Sequence, residues 1–304
     1  MNSTDFDIFL SKFNQTPVEL IRQRISIRSY RLDPIPDQIL AALEDFIEVL
    51  PPGPFGSKPR FELTAAAEED PESLKGLGTY GFIRDPQGFL LGAGTTKSGA
   101  MEDFGYLMEL VGLRAVDLGL GTCWLGGTFN RSRFARIINL EEDEIIPSIL
   151  SLGLSAEQPG PAEKAIRLAA RADRRQPWSE LFFLNSPAQP LAETAAGDYR
   201  IPLEMVRLGP SASNKQPWRV LRTGQDWHFY LERTPNYPPG IARSLLGVPD
   251  LQRIDLGIAL AHFSLSAVQI GLSGSWQVLP ADRVPVHPRW EYVITWKDQP
   301  RSKS

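Results

Sequence analysis

The chain has 304 residues, of which 42% are hydrophobic and 22% charged, and a formal net charge of -4. At roughly 150 residues per domain this is length for about two domains or one large one, with enough apolar residues to exclude wholesale disorder. The mild acidity excludes a nucleic-acid surface spread over the whole protein but leaves room for a local basic pocket.

The chain opens Met-Asn-Ser-Thr-Asp, without a basic and then apolar leader. Residues 17–30 read as an amphipathic helix running into a basic, hydroxyl-bearing stretch, Arg24-Ile-Ser26-Ile-Arg28-Ser-Tyr30. Asp33-Pro-Ile-Pro-Asp37 reads as a turn, with Asp37 capping a helix over 39–50 that Pro51-Pro-Gly-Pro ends. Residues 61–65 and 88–94 read as short strands. A long helix runs from Glu102-Asp103 to Leu118. It is apolar on most faces, so it is expected to be buried on most faces, with Asp103 as its cap and Gly119 as its stop. Thr122-Cys-Trp-Leu-Gly126-Gly127 reads as a strand or glycine-rich loop, residues 145–154 as a buried strand, and residues 155–177 as a polar surface arm. The 145–154 stretch is broken by Pro147 and by serines and falls short of the ~20 residues a membrane span needs. The lone cysteine, Cys123, removes any intramolecular disulfide framework and is expected to be a buried small residue. His228, His262 and His287 lack ligand spacing, so no metal site is expected. Together these features lead to the expectation of a soluble, cytoplasmic protein.

The second half repeats the plan of the first. Placing 103–124 on 255–276 without a gap gives eight identities, among them Asp103/Asp255, Gly105/Gly257, Gly119/Gly271 and Trp124/Trp276. Upstream, a helix ending at Leu208 before Pro210 parallels the one ending at Leu50 before Pro52, and Pro217 parallels Pro59. The order of elements therefore repeats as well as the residues, which points to an internal duplication. Asp255, like Asp103, is expected to cap its helix.

Four motifs carry possible chemistry. Pro210-Ser211-Ala-Ser213-Asn214-Lys-Gln216-Pro217-Trp218 offers donors and acceptors on short arms, suited to a polyhydroxylated ligand, and reads equally as a Ser/Asn-rich helix end. In an extended Arg24-x-Ser26-x-Arg28, two guanidiniums and a hydroxyl share one side, a phosphate-binding geometry; a solvated basic helix end is the other reading. Arg171, Arg174 and Arg175 precede Gln176-Pro177-Trp178 and read as a solvated charge run. Gly126-Gly127 either admits backbone N–H groups to a flat ring or is an ordinary turn. Gly119-Leu-Gly121 lacks the third glycine of a dinucleotide fingerprint, Gly94-Thr-Thr-Lys97-Ser98 lacks the first half of a phosphate loop, and no G-x-S-x-G occurs.

Taken together, these motifs resemble the nitroreductase family of FMN-dependent oxidoreductases. The family's R-x-S-x-R/K-x-aromatic signature is matched at 24–30, its P-S-x-x-N-x-Q-P-W turn at 210–218, its Leu-Gly-Leu-Gly-Thr-Cys-Trp-Leu-Gly-Gly run at 118–127, and its basic arm by Arg175 ahead of Pro177. The resemblance implies an α+β fold and homodimer-like flavin sites, each built from two subunits. In such enzymes the first signature shortly precedes the second; here nearly 200 positions separate them. The first half has Pro52-Gly-Pro-Phe-Gly-Ser-Lys58-Pro59 where the Ser/Asn turn belongs. The second half has Leu191-Ala-Glu-Thr-Ala-Ala-Gly-Asp198-Tyr199 where the arginines belong, and Val278-Leu279 in place of Gly126-Gly127. The resemblance thus implies a fused pseudo-dimer, with halves 1–185 and 186–304, acting as a monomer with one intact flavin site and one lost. Arg24, Ser26, Arg28, Arg174 and Arg175 are expected at the FMN phosphate, Pro210, Ser211, Ser213 and Asn214 at the ribityl chain and ring edge, and the backbone of Leu125, Gly126 and Gly127 at the ring. Lys75 and Tyr80 are weaker ring candidates. The implied activity is ping-pong transfer from NAD(P)H to a nitroaromatic, quinone or similar electrophile, with the flavin rather than any side chain carrying the chemistry. A degenerate, non-catalytic flavin carrier or sensor is the alternative.

Overall fold

Helix α1 (Pro17–Gln23) begins in a full capping box: Thr16 Oγ1 accepts from Glu19 N, and the Glu19 carboxylate accepts from Thr16 N. It ends at Arg24, whose extended backbone starts the 24–30 segment, so the basic stretch lies outside the helix. The computed structural model describes residues 9–66, 74, 77, 79, 81–127, 129–158, 160–169, 174–235, 237 and 249–299. Lys75, Tyr80 and Arg171 lie outside the described residues.

Helix α2 (Asp37–Glu48) has Pro36 at its N-cap and no side-chain capping bond. Asp37 is therefore its first helical residue, where an acid favours the helix dipole, and not its cap. There follow β1 (Arg60–Ala65), β2 (Gly88–Ala93), helix α3 (Ala100–Asp117), β3 (Gly121–Leu125), α4 (Arg131–Ile137) and β4 (Ile149–Gly153). The four strands make an antiparallel sheet in the order β1-β2-β4-β3. β4 is shorter than the apolar run suggests: Ile145 makes only an isolated bridge to Gly94, and Pro147 separates it from the ladder. Helix α5 (Pro161–Ala169) occupies the middle of the 155–177 segment read as a polar surface arm.

Helix α6 (Trp178–Leu181) leads into β5 (Phe182–Leu184) and β6 (Ser186–Pro190). Then come α7 (Arg200–Leu208), β7 (Trp218–Thr223), β8 (Asp226–Glu232), α8 (Leu251–Gln269), β9 (Ser273–Gln277) and β10 (Trp290–Gln299). The second sheet has the order β6-β5-β7-β8-β10-β9. Its β7-β8-β10-β9 portion repeats the order of the first sheet, again with one long helix between the second and third strands. β5 joins it by pairing in parallel with β7, so the chain leaving the first sheet completes the edge of the second.

The long helices α3 and α8 pack against each other, buried along nearly their whole lengths, as their all-round apolar patterns require. Glycine sets the closeness of the crossing. A Cβ on Gly105 would lie 2.2 Å from Ile254 O, and one on Gly257 2.0 Å from Glu102 O. In the register that sets Asp103 on Asp255 these two contacts exchange, the pattern of an isologous interface. The helix ends agree. Gly119 (φ 86°) and Gly271 (φ 76°) each close a Schellman motif, with Leu120 N donating to Ala115 O and Leu272 N to Ala267 O.

Asp103 and Asp255 are not helix caps. Each lies inside its helix and accepts from a proline-rich turn: Asp103 from Phe55 N (2.8 Å) and Ser57 N (2.7 Å), Asp255 from Ala212 N (2.9 Å). The cap positions belong to Gly99 and Asp250.

Candidate functional site

A cavity of about 590 Å³ opens between the 24–28 segment, the end of β3, the turn after α7 and the start of α8. Eleven of the twelve residues expected at a ligand site line it: Arg24, Ser26, Arg28, Leu125, Gly126, Gly127, Arg175, Pro210, Ser211, Ser213 and Asn214. Arg174 does not. It is exposed and lines a neighbouring cavity with Gln176 and Lys215, while its carbonyl accepts from Asn214 Nδ2 at 2.9 Å.

The extended 24–28 segment is held to β3 by Ile27 N donating to Thr122 O at 2.9 Å and by the Ser26–Thr122 bridge. Extended backbone places Arg24, Ser26 and Arg28 on one side, and all three reach the cavity. Arg24 is 7% exposed, and its Nε lies 3.8 Å from Glu109 Oε1. The Nη1 atoms of Arg24 and Arg28 are both buried without a hydrogen-bond partner among the described residues. Buried donors of this kind are costly unless something accepts from them.

On the other wall, Ser213 (φ 51°), Asn214 (φ 54°) and Gln216 (φ 49°) adopt left-handed backbone. Three such non-glycine residues in four positions are a local strain held by surrounding bonds. Asn214 N donates to Ser211 O at 2.9 Å, Gln216 N to Ser211 Oγ at 2.9 Å, and Gln176 N to Gln216 Oε1 at 2.9 Å. Arg175 Nη2 donates to Leu208 O at 3.2 Å, and Arg175 Nη1 to Asn214 Oδ1 at 3.5 Å. The 174–176 arm is thereby docked on the turn, so residues distant in sequence share one wall. The charge run read as a solvated arm is partly a built contact.

The floor was missed from sequence. Leu251, Ile254, Asp255 and Ile258 line the cavity from α8, and Trp124 from β3. Their i, i+3, i+4, i+7 spacing was the available signal, masked because α8 is apolar all round. Burial pushes the Asp255 carboxyl well above its usual range, against the pull of its Ala212 N contact, and Oδ2 has no hydrogen-bond partner among the described residues. The Cys123 thiol is buried and also pushed up by burial, which makes it an inert core residue. A second, much smaller cavity of about 100 Å³ lies on the β9 side, lined by Pro52, Gly53, Pro54, Tyr106, Ser264, Gly274, Ser275, Trp276 and Trp296. Among the described residues, no helix is long and apolar enough to cross a membrane.

Among solved structures, one from Thermotoga maritima described as a putative nitroreductase aligns over 93% of this chain and 94% of its own, at 19% identity and TM-score 0.57. A nitroreductase family protein from Clostridium difficile 630 covers 54% of this chain and 94% of its own at 22% identity and TM-score 0.41. An FMN-dependent nitroreductase from Clostridium difficile R20291 covers 46% and 87% at 19% identity and TM-score 0.37. No curated protein sequence matches the chain. The first of these shows a shared α+β fold along nearly the whole chain. The sequence profile of the family described as "Putative TM nitroreductase" matches residues 17–267, and the chain belongs to that family.

Proposed function

We propose that the chain is an FMN-dependent oxidoreductase that passes electrons from NAD(P)H to a nitroaromatic, quinone or similar electrophile, with one flavin per chain. One observation carries the reading: two motifs nearly 200 positions apart meet in a single cavity, with unsatisfied guanidinium donors on one wall and hydroxyl and amide groups on the other. Its volume of about 590 Å³ is in the range of cofactor sites, roughly 300–1,000 Å³.

Arg24, Ser26, Arg28 and Arg175 would hold the phosphate, where charge-assisted bonds would satisfy the orphaned Nη1 atoms. Pro210, Ser211, Ser213 and Asn214 would serve the ribityl chain and ring edge, and the backbone N–H groups of 125–127 the ring. Leu251, Ile254 and Ile258 give the cavity apolar surface against which a flat ring could pack. Bound FMN would supply the hydride-transfer chemistry that links NAD(P)H to the acceptor. Arg174 has no place in this reading because its side chain lies outside the cavity.

The fold supports a further part of the proposal. The repeated strand order and the exchanging glycine contacts fit two halves, 1–185 and 186–304, derived by duplication, so that one chain does as a monomer what a homodimer would do. The test is flavin stoichiometry with turnover. One FMN per chain, with NAD(P)H oxidation on adding a nitroaromatic or quinone, is expected. Two per chain overturns the single-site reading, one per chain without turnover makes the protein a carrier, and no binding overturns the flavin reading.

A further inference from the structure

Glu109 lies in the middle of α3 with no solvent exposure. Its Oε2 accepts from Trp124 Nε1 at 2.8 Å, and its Oε1 lies 2.9 Å from His262 Nε2 and 3.8 Å from Arg24 Nε. Trp124 and Arg24 both line the large cavity. His262 comes from the other long helix, and its Nδ1 faces Met205 O at 2.9 Å. A carbonyl oxygen only accepts, so Nδ1 carries a proton. An ionised carboxylate also only accepts, so Nε2 carries one too, and the Glu109–His262 pair has no net charge. Burial raises the Glu109 carboxyl, but the His262 hydrogen bond and charge, with Arg24 and Trp124, bring it below its usual range, so it is ionised at neutral pH.

Such a pair is a poor stability device, because desolvating two charges offsets their attraction. The molecule itself shows that the fold does without it. In the register that sets Asp103 on Asp255, Glu109 falls on Ala261 and His262 on Leu110. Trp276, the counterpart of Trp124, accordingly has a buried Nε1 with no hydrogen-bond partner among the described residues. Among those residues the Glu–His pair stands beside the large cavity and has no counterpart beside the small one.

We infer that Glu109 is a positioning residue for the large cavity: it fixes Arg24 and Trp124 in the wall, while His262 cancels its charge so that the anion-binding side keeps its positive potential. The inference rests on the FMN reading, in which Arg24 serves the phosphate. It joins the two long helices to the site, because a residue of α8 sets the electrostatics of a residue on α3.

The test compares dissociation constants for FMN and for riboflavin, which has the same ring and ribityl chain but no phosphate. Wild type is expected to prefer FMN. Glu109→Gln preserves an acceptor for Trp124 but removes the carboxylate that holds Arg24. FMN affinity is expected to fall about tenfold, the cost of ordering one long side chain anew, with riboflavin affinity unchanged within twofold. His262→Asn leaves the Glu109 charge uncancelled beside Arg24 and is expected to weaken FMN selectively too. In the Glu109→Gln background it adds little to the loss of FMN over riboflavin, a coupling read on the phosphate alone, whereas a purely structural role would couple the two residues in the binding of both flavins. If Glu109→Gln does not fold, His262→Asn carries the same comparison. Equal weakening of FMN and riboflavin, or no weakening of FMN, overturns the inference. Wild type that binds both flavins equally overturns the phosphate reading itself, before any variant is considered.

Discussion

The cavities on the β3 and β9 sides of the α3–α8 pair measure about 590 and 100 Å³, although the sheets beside them share one strand order. Side chains make the difference. On the β9 side, Trp296 pairs across the ladder with Trp276, the two rings 5.1 Å apart, where Leu150 pairs with Trp124 on the β3 side. A Cβ on Gly274 would lie 2.3 Å from the Trp296 ring, so the indole presses directly on the β9 backbone. Beyond the strand, Val278-Leu279 stand where Gly126-Gly127 border the large cavity. The comparison teaches that a scaffold can be kept on both sides while ligand space is kept on one. What is shared between the sides maintains the fold, and what differs is a candidate for function.

The helix crossing belongs to the shared part, and testing it carries the largest expected effect. Gly105→Ala and Gly257→Ala each drive a methyl group into backbone oxygen on the facing helix, which cannot yield as a flexible side chain would. Each is expected to cost more than about 3 kcal/mol in urea unfolding, at the upper end of overpacking penalties, and the two costs should match. If one substitution is tolerated and the other is not, the crossing is not a two-fold element and the comparison between the sides loses its basis.

The aspartates are shared in position but unequal in their bonds. Burial pushes Asp103 up to about 6 against two turn N–H donors, and pushes Asp255, which has one donor, well above its usual range. A raised carboxyl contributes stability that is complete below its unfolded value, near 3.8, and is lost as pH rises through its folded value. For Asp103 that loss is up to about 3 kcal/mol between pH 4 and 6. For Asp255 the loss has the same sign. Urea unfolding across pH should show Asp103→Asn flattening the falling slope between pH 4 and 6, and Asp255→Asn flattening it in the same sense above pH 4. If the falling slope survives Asp255→Asn unchanged, burial of the Asp255 carboxyl is not among its causes.

Much of this was legible in sequence, for identifiable reasons. The repeated order of elements was legible because glycine crossings and Schellman ends constrain the residues of both long helices, so the eight identities include Gly105/Gly257 and Gly119/Gly271. The convergence of Arg24, Ser26 and Arg28 followed from extended alternation. The aspartates were misread because an acid early in a helix looks like a cap, and only tertiary structure shows the turn above it. Helix α5 was missed in a proline-punctuated polar stretch, since a proline that opens a helix at its first turn looks like a breaker. Arg174 and Arg175 are adjacent, and the sequence could not say that the docking of Gln176 on Gln216 turns one inward and leaves the other outside. Glu109 was not read from the sequence and His262 only as a histidine without ligand spacing, since their pairing spans two helices.

The finest test of the comparison is the tryptophan pair, where the expected effects are smallest. Trp124 Nε1 donates to the ionised Glu109, a hydrogen bond to a charged group. Trp124→Phe leaves that buried oxygen short of a donor and is expected to cost about 2 kcal/mol. Trp276 packs against Phe229, Phe263 and Trp296, but its Nε1 is buried without a hydrogen-bond partner among the described residues. Trp276→Phe removes an unsatisfied donor along with some packing area, two terms of opposite sign. The net change is expected to lie within about 1 kcal/mol of zero, well below that of Trp124→Phe. Thermal melting of the ligand-free chain measures both. Equal losses would mean that ring packing alone sets the cost at both positions and that the Glu109 bond adds nothing to the β3 side. A selective loss at Trp124 would locate the difference between the two sides in one hydrogen bond to one buried carboxylate.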